Sequence, residues 1–277
     1  MLDEDPAVSK MIRVTQLFRY PVKSFSPQSV DELTTENGRL VGDRVFAFRL
    51  ANRGDLNDWS WQRKHNYVAL ANTPGVAKLE VAFDEQERTL SIVERESGST
   101  VGVAHVDDPD QRVSLAGAVE EFVRNLDINS ISGDPESTPL VLVGDGRHSV
   151  FHDSEDGGVT LYGEESIRGL SDHMEADVDG LRFRANVVIE GAGAFEEISW
   201  TGELTIGSVR FNAVKPVVRC LATHTNPESG ERDLDVMTAL QTANGITPPT
   251  FSLWLEPVEK DQTSTIWVGD EVKLLSK

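Results

Sequence analysis

Leu181-Arg182-Phe183-Arg184-Ala185-Asn186-Val187-Val188-Ile189-Glu190 alternates apolar and polar residues with a period of two from Leu181 to Val187 and then runs on through Val188 and Ile189. That pattern reads as a half-buried strand, with Leu181, Phe183, Ala185, Val187 and Ile189 on the core face and Arg182, Arg184 and Asn186 on the other. Two guanidinium groups and an amide along one strand face form an anion-binding comb, because a planar N–H fork matches a phosphate or carboxylate. A solvated outer face is the plainer alternative, but lysine or glutamate would serve it equally well.

Downstream, Leu204-Thr205-Ile206 and Val209–Val214 flank Gly207-Ser208 as a hairpin that leads into Lys215-Pro216-Val217-Val218-Arg219-Cys220. Cys220 is the single cysteine of the chain. Its chemistry is that of the thiolate, a form favoured by Lys215 or Arg219 if their heads reach it; as a thiol it would be a small core residue. If the chain stays extended here, Val218 and Cys220 share one face and Arg219 points away, which would make Arg219 a structural partner. A turn-rich loop over 223–230 follows, and Leu234, Met237 and Leu240 mark a helix closed by Asn244-Gly245. Phe251–Leu255 and Ile266–Leu275 supply the last strands.

Upstream of the comb, Val159–Tyr162 is extended and Gly163 precedes a helix with Ile167, Leu170 and Met174 on one face. Ser166 and the free amides of that helix start could receive a phosphate, although capping alone would explain the serine. Ile12, Val14, Gln16 and Phe18 alternate with Arg13, Thr15, Leu17 and Arg19 in a first strand, which ends before Tyr20-Pro21-Val22-Lys23-Ser24. Val41–Leu50 reads as a second strand, placing Arg44 on the face of Phe46 and Phe48. Residues 52–57 form a loop, Asp84–Glu87 join a hairpin, and Leu115, Val119, Phe122, Val123 and Leu126 make a helix with Ser114 as its cap. Residues 129–139 collect turn formers and divide an N-terminal β-rich part, 12–130, from a second part, 131–277. Short strands with three or four helices describe a mainly β, α+β chain with a barrel better than a regular βαβ series.

One cysteine excludes an internal disulfide, a four-cysteine zinc site and a four-thiolate iron–sulfur cluster. The first residues are acidic where a secretory signal is basic and no apolar run reaches membrane-spanning length, so a cytoplasmic protein without membrane contact is expected, residues 1–10 being a flexible tail. The 46 acidic residues against 26 basic ones give a net charge of −20. Nucleic acid is then not an expected partner, and this self-repulsion suits a halophilic, high-salt cytosol in which charges are screened over about 3 Å at 1 M.

These residues together resemble the MOSC family, named for the C-terminal domain of molybdenum cofactor sulfurases, and within it the two-part members akin to mitochondrial amidoxime-reducing components. The anchors are Tyr20-Pro21-Val22-Lys23-Ser24, Asp43-Arg44, Gln62-Arg63, Arg182–Asn186, Glu197 with Ser199-Trp200, Arg219-Cys220, Pro227 with Gly230, and Val268-Gly269-Asp270. The resemblance implies a MOSC-type β-barrel with an N-terminal β-rich domain whose first strand and Lys23-Ser24 reach the site. It also implies a molybdenum cofactor, its metal ligated by Cys220 and its phosphate and pterin held at Lys23, Ser24, Arg44, Ser166, Arg184 and Asn186, with Arg182 alongside. Neither an iron–sulfur cluster nor pyridoxal phosphate is expected. The implied activity is reduction of an N-hydroxylated or S-oxidised small molecule with electrons from a separate donor protein; the alternatives are a cofactor or sulfur carrier without turnover, and a silent barrel. The sequence departs from the family at Asn226, Ser252 and Trp254, which bears on the substrate.

Overall fold

The computed structural model describes residues 11–55 and 58–275. The tail read over residues 1–10 and the tip of the 52–57 loop lie outside them. The first half carries strands β1 (Ile12–Arg19), β2 (Gln28–Val30), β3 (Glu32–Glu36), β4 (Arg39–Leu40), β5 (Ala47–Arg49), β6 (Leu79–Asp84), β7 (Thr89–Glu94) and β8 (Thr100–His105), then helix α1 (Pro109–Arg124). The second carries β9 (Val141–Val143), β10 (Val159–Gly163), α2 (Glu164–Met174), β11 (Val187–Glu190), β12 (Gly202–Ile206), β13 (Val209–Val218), α3 (Val236–Asn244), β14 (Thr250–Pro257), β15 (Ser264–Trp267) and β16 (Glu271–Leu274). The chain is thus mainly β, with three α-helices among the described residues. No helix there is long and apolar enough to cross a membrane.

The largest sheet runs β11-β10-β14-β13-β12-β16-β1-β2, and β1 also pairs with β11, so seven strands close into a barrel with β2 attached to β1. Closure removes the free edges of a sheet. Val14, Leu17, Val187, Ile189, Leu204 and Phe211 are among the side chains filling the interior, each contributing roughly 1.5–3 kcal/mol by leaving water. Strict alternation fails along β1. Its register against β11 slips between Val14 and Gln16, a bulge that turns Leu17 into the barrel and leaves Gln16 exposed.

Beside the barrel, the meander β6-β7-β8 packs with α1 around a second core that includes Phe46, Phe48, Phe83, Ile92, Leu115 and Val119. Helix α1 starts earlier than the apolar spacing predicts. Asp108 accepts from the amides of Asp110 and Gln111 with Pro109 at the first helical position, so Ser114 lies inside the helix and caps nothing. Pairing crosses the 130/131 division repeatedly: β9 joins β5, β15 joins β3, and β1 joins both β11 and β16.

Two predicted strands are shorter than their alternation suggests. Within 41–50 only Ala47–Arg49 is a strand, since Gly42 and Arg44 have φ of 71° and 50°. In 181–190 only Val187–Glu190 is extended. Gly180–Phe183 is a 3-10 turn and Arg184 adopts the left-handed conformation at φ 52°. The comb is therefore assembled from a turn, a left-handed residue and a strand approach, not from one pleated face.

Candidate functional site

Where β13 leaves the barrel, Cys220 faces a cavity of about 230 Å³. Lys23, Ser24, Arg44, Arg182, Arg184, Asn186 and Cys220 all line it, so seven of the eight residues singled out from the sequence meet in one place. Ser166 does not. It is fully buried in α2, donates to Glu197 at 2.8 Å and accepts from the Phe195 amide at 2.7 Å. The amphipathic pattern located the helix but not the direction of its first turn, which presents this serine to the 191–199 loop.

A buried carboxylate organises the cationic wall. Asp43 is fully buried and accepts from the Tyr20 amide at 2.8 Å, from Arg44 Nη1 through both oxygens at 2.7 and 2.6 Å, and from Asn186 Nδ2 at 3.2 Å. Asn186 also donates to the Phe18 carbonyl at 3.1 Å, so its amide braces the wall from behind. The left-handed turn at Arg184 sends Nη1 to the Phe25 carbonyl at 2.5 Å. Arg184 and Arg44 both lie over the ring of Tyr20, at 4.2 and 4.4 Å from its centroid, which offsets part of their mutual repulsion. Burial, with Arg44 acting in the same sense, still lowers Arg184 to about 10. Arg182 donates Nη1 to the His224 carbonyl at 2.9 Å and pairs with Asp233 at 2.7 Å.

The base beside the thiol is neither Lys215 nor Arg219. Lys215 lies over the Trp254 ring, 4.6 Å from its centroid. Arg219 turns away, donating to the carbonyls of Phe251 and Phe183 at 2.8 and 3.0 Å, which is the structural role its extended backbone foreshadows. The sulfur instead accepts from Lys64 Nζ at 3.3 Å. Lys64 comes from a 3-10 turn 156 positions earlier, next to the Gln62-Arg63 anchor, and nothing in its own neighbourhood marks it. Partial burial works against its charge, but Asp153 and the Cys220 sulfur prevail and raise it. Asp153 in turn lies 3.9 Å from Lys64 and 2.5 Å from the buried Lys23. The crowded surroundings would raise its carboxyl, yet Lys23 and Lys64 hold it down at about 2.

The lining carries six cationic side chains, Lys23, Arg44, Lys64, Arg182, Arg184 and Arg219, against one carboxylate, Asp153. This inverts the sign of a chain with net charge −20. His152 adds no charge, because burial, then Arg44, holds it well below the usual imidazole range. Arg182 Nε, Arg184 Nη2, Arg219 Nη2 and Trp254 Nε1 are buried without a hydrogen-bond partner among the described residues. Buried N–H groups in native proteins are rarely left unpaired. Such a cavity can hold an anionic group beside a thiol.

A family model described as the MOSC domain matches residues 148–273, and one described as the MOSC N-terminal beta barrel domain matches residues 11–127. The mouse mitochondrial amidoxime-reducing component 1 is 32% identical over 95% of this chain and 82% of its own length. The human protein of that name is 23% identical over 95% and 83%. The human molybdenum cofactor sulfurase is 34% identical over 40% of this chain, a match that spans 12% of that longer protein. Both family models in this order, and a likeness to an amidoxime-reducing component that runs nearly end to end, place the chain in the MOSC-domain family, among its two-part members with an N-terminal β-barrel domain.

Proposed function

We propose that this protein holds a molybdenum cofactor in the cation-lined cavity and reduces N-hydroxylated or S-oxidised small molecules with electrons from a separate donor protein. The observation that carries the reading is the coexistence in one cavity of six cationic side chains against one carboxylate and a thiol held by a lysine. The names of the relatives support the cofactor and the substrate class. Cys220 would ligate the molybdenum, a role suited to a soft thiolate. Arg184 and Arg44, with Ser24, would hold the cofactor phosphate, since bidentate N–H pairs favour phosphate. Asn186, with its amide donors already spent, would brace that wall, and Lys23 and Arg182 would contribute charge. Ser166, bonded to Glu197 outside the cavity, has no part in it.

When bound, the cofactor supplies two-electron removal of an oxygen atom. The residues of the chain do the remainder. The Lys64 ammonium donates to the sulfur and places a positive charge beside it. The arginines are already held by hydrogen bonds to the chain, so their charge needs little reorganisation on binding.

Protein purified from a cofactor-competent host is expected to contain molybdenum and pterin. Cys220→Ser is expected to fold, lose molybdenum and lose reduction of an N-hydroxylated substrate driven by an artificial reductant; His224→Ala, outside the cavity lining, changes the rate far less. Full molybdenum content in Cys220→Ser would overturn the ligand assignment. Cofactor present with no turnover of any such substrate would leave a carrier in place of a reductase.

A further inference from the structure

A second, smaller hollow of about 20 Å³ shares Ser24, Arg182 and Arg184 with the cavity. Its polar lining consists of Ser24, Ser26, Arg182, Arg184 and Thr225, apolar side chains complete it, and no carboxylate belongs to it. Three donors there, Arg182 Nε, Arg184 Nη2 and the Thr225 hydroxyl, are buried and have no partner among the described residues. Arg182 is 4% exposed and Thr225 2%.

The acceptors nearby each take one hydrogen already. The Phe25 carbonyl takes Arg184 Nη1, the His224 carbonyl takes Arg182 Nη1, and Ser26 Oγ accepts from the Val81 amide at 2.9 Å. A water molecule placed here has two lone pairs for these three donor groups. A monoatomic anion can accept from all three. The volume points the same way, since about 10–15 Å³ of such space holds one water-sized particle, which a polyatomic phosphate exceeds. Charge also favours an anion, because Arg184 makes no ion pair among the described residues, whereas Arg182 is matched by Asp233.

We propose that this hollow is a halide site in which chloride is held by Arg182, Arg184 and the Thr225 hydroxyl. It shares Arg184 with the proposed phosphate position. The bound ion fixes the guanidinium and supplies a counter-charge at contact distance, where Asp43 and Asp153 act on it only from further away. The site depends on this lining and not on the molybdenum reading, so it is tested on protein free of cofactor.

Melting temperatures are measured in sodium chloride, bromide and gluconate at one total ionic strength, which separates a bound halide from general screening of the acidic surface. Chloride and bromide are expected to raise the transition by roughly 3 °C for each tenfold increase above the dissociation constant. Thr225→Val is expected to shift that halide dependence at least tenfold to higher concentration. Crystals of the unaltered protein grown in bromide are expected to show an anomalous peak between Arg182, Arg184 and Thr225, which decides the matter if Thr225→Val does not fold. Coincident melting curves in halide and gluconate, or bromide crystals without a peak in this hollow, would overturn the proposal.

Discussion

Replacing Asp43 by alanine removes the shared acceptor of Arg44, Tyr20 and Asn186. Breaking a buried ion pair from one side costs about 3–5 kcal/mol, because the stranded charge stays buried. The Tyr20 amide and the Asn186 donor each lose a partner as well, at about 1–3 kcal/mol. Contributions within one network are not additive, so the expected loss is about 5 kcal/mol. Against a total of about 5–15 kcal/mol for a folded domain, that brings the variant close to unfolding at ambient temperature. Asp43→Asn keeps an oxygen for the Tyr20 amide but still strands the Arg44 charge, and about 3–5 kcal/mol is expected. Urea denaturation followed by circular dichroism at fixed salt measures both. A loss below about 1 kcal/mol for Asp43→Ala would refute the idea that this carboxylate holds the cationic wall together.

Glu197 is fully buried, and burial pushes its carboxyl up to about 7 although the Ser166 hydroxyl acts to lower it. The native state therefore keeps the proton more tightly than the unfolded chain does. The stabilisation is complete below pH 4.5 and is lost as pH rises to about 7, by roughly 3 kcal/mol in all. Glu197→Gln is expected to flatten that limb of the stability profile, and melting curves from pH 4.5 to 8 with the slope retained would contradict this. Gly158 has φ 108°, and a Cβ there would lie 1.6 Å from Trp254 Nε1. Gly158→Ala is accordingly expected to cost about 1–3 kcal/mol and to disturb the cavity wall. An unchanged melting temperature would show that the indole moves aside freely.

The parts of the molecule that local physics controls are legible in the chain. Gly207 sits at φ 57° in the β12–β13 turn, and Gly245 closes α3 at φ 72°, each where the turn chemistry places it. The site residues could be read because arginine and asparagine are expensive to bury without a purpose, and because Cys220 is the single thiol of the chain. The path of the chain around them could not. Arg182-Phe183-Arg184 alternates as a strand does, but the tertiary contacts of Arg184 with Tyr20 and Phe25 hold it in the left-handed region. Lys64 was invisible for the opposite reason: its partner is 156 positions away, and a lysine in a polar turn has no local signature. The α1 start was missed because Asp108 and Pro109 precede the first apolar residue of the stripe.

The seam of the barrel sets a timetable. Ile12 pairs with Val272 and Arg13 with Glu271, so the first strand made is completed by the last. Translation at about 5–20 residues per second leaves roughly 10–50 s between the two. Throughout that interval the Ile12–Arg13 end of β1 lacks its β16 partner and is open to pairing with other extended chains. Barrel closure thus waits for β16, and the meander with α1, whose strands are neighbours in sequence, is free to form long before it.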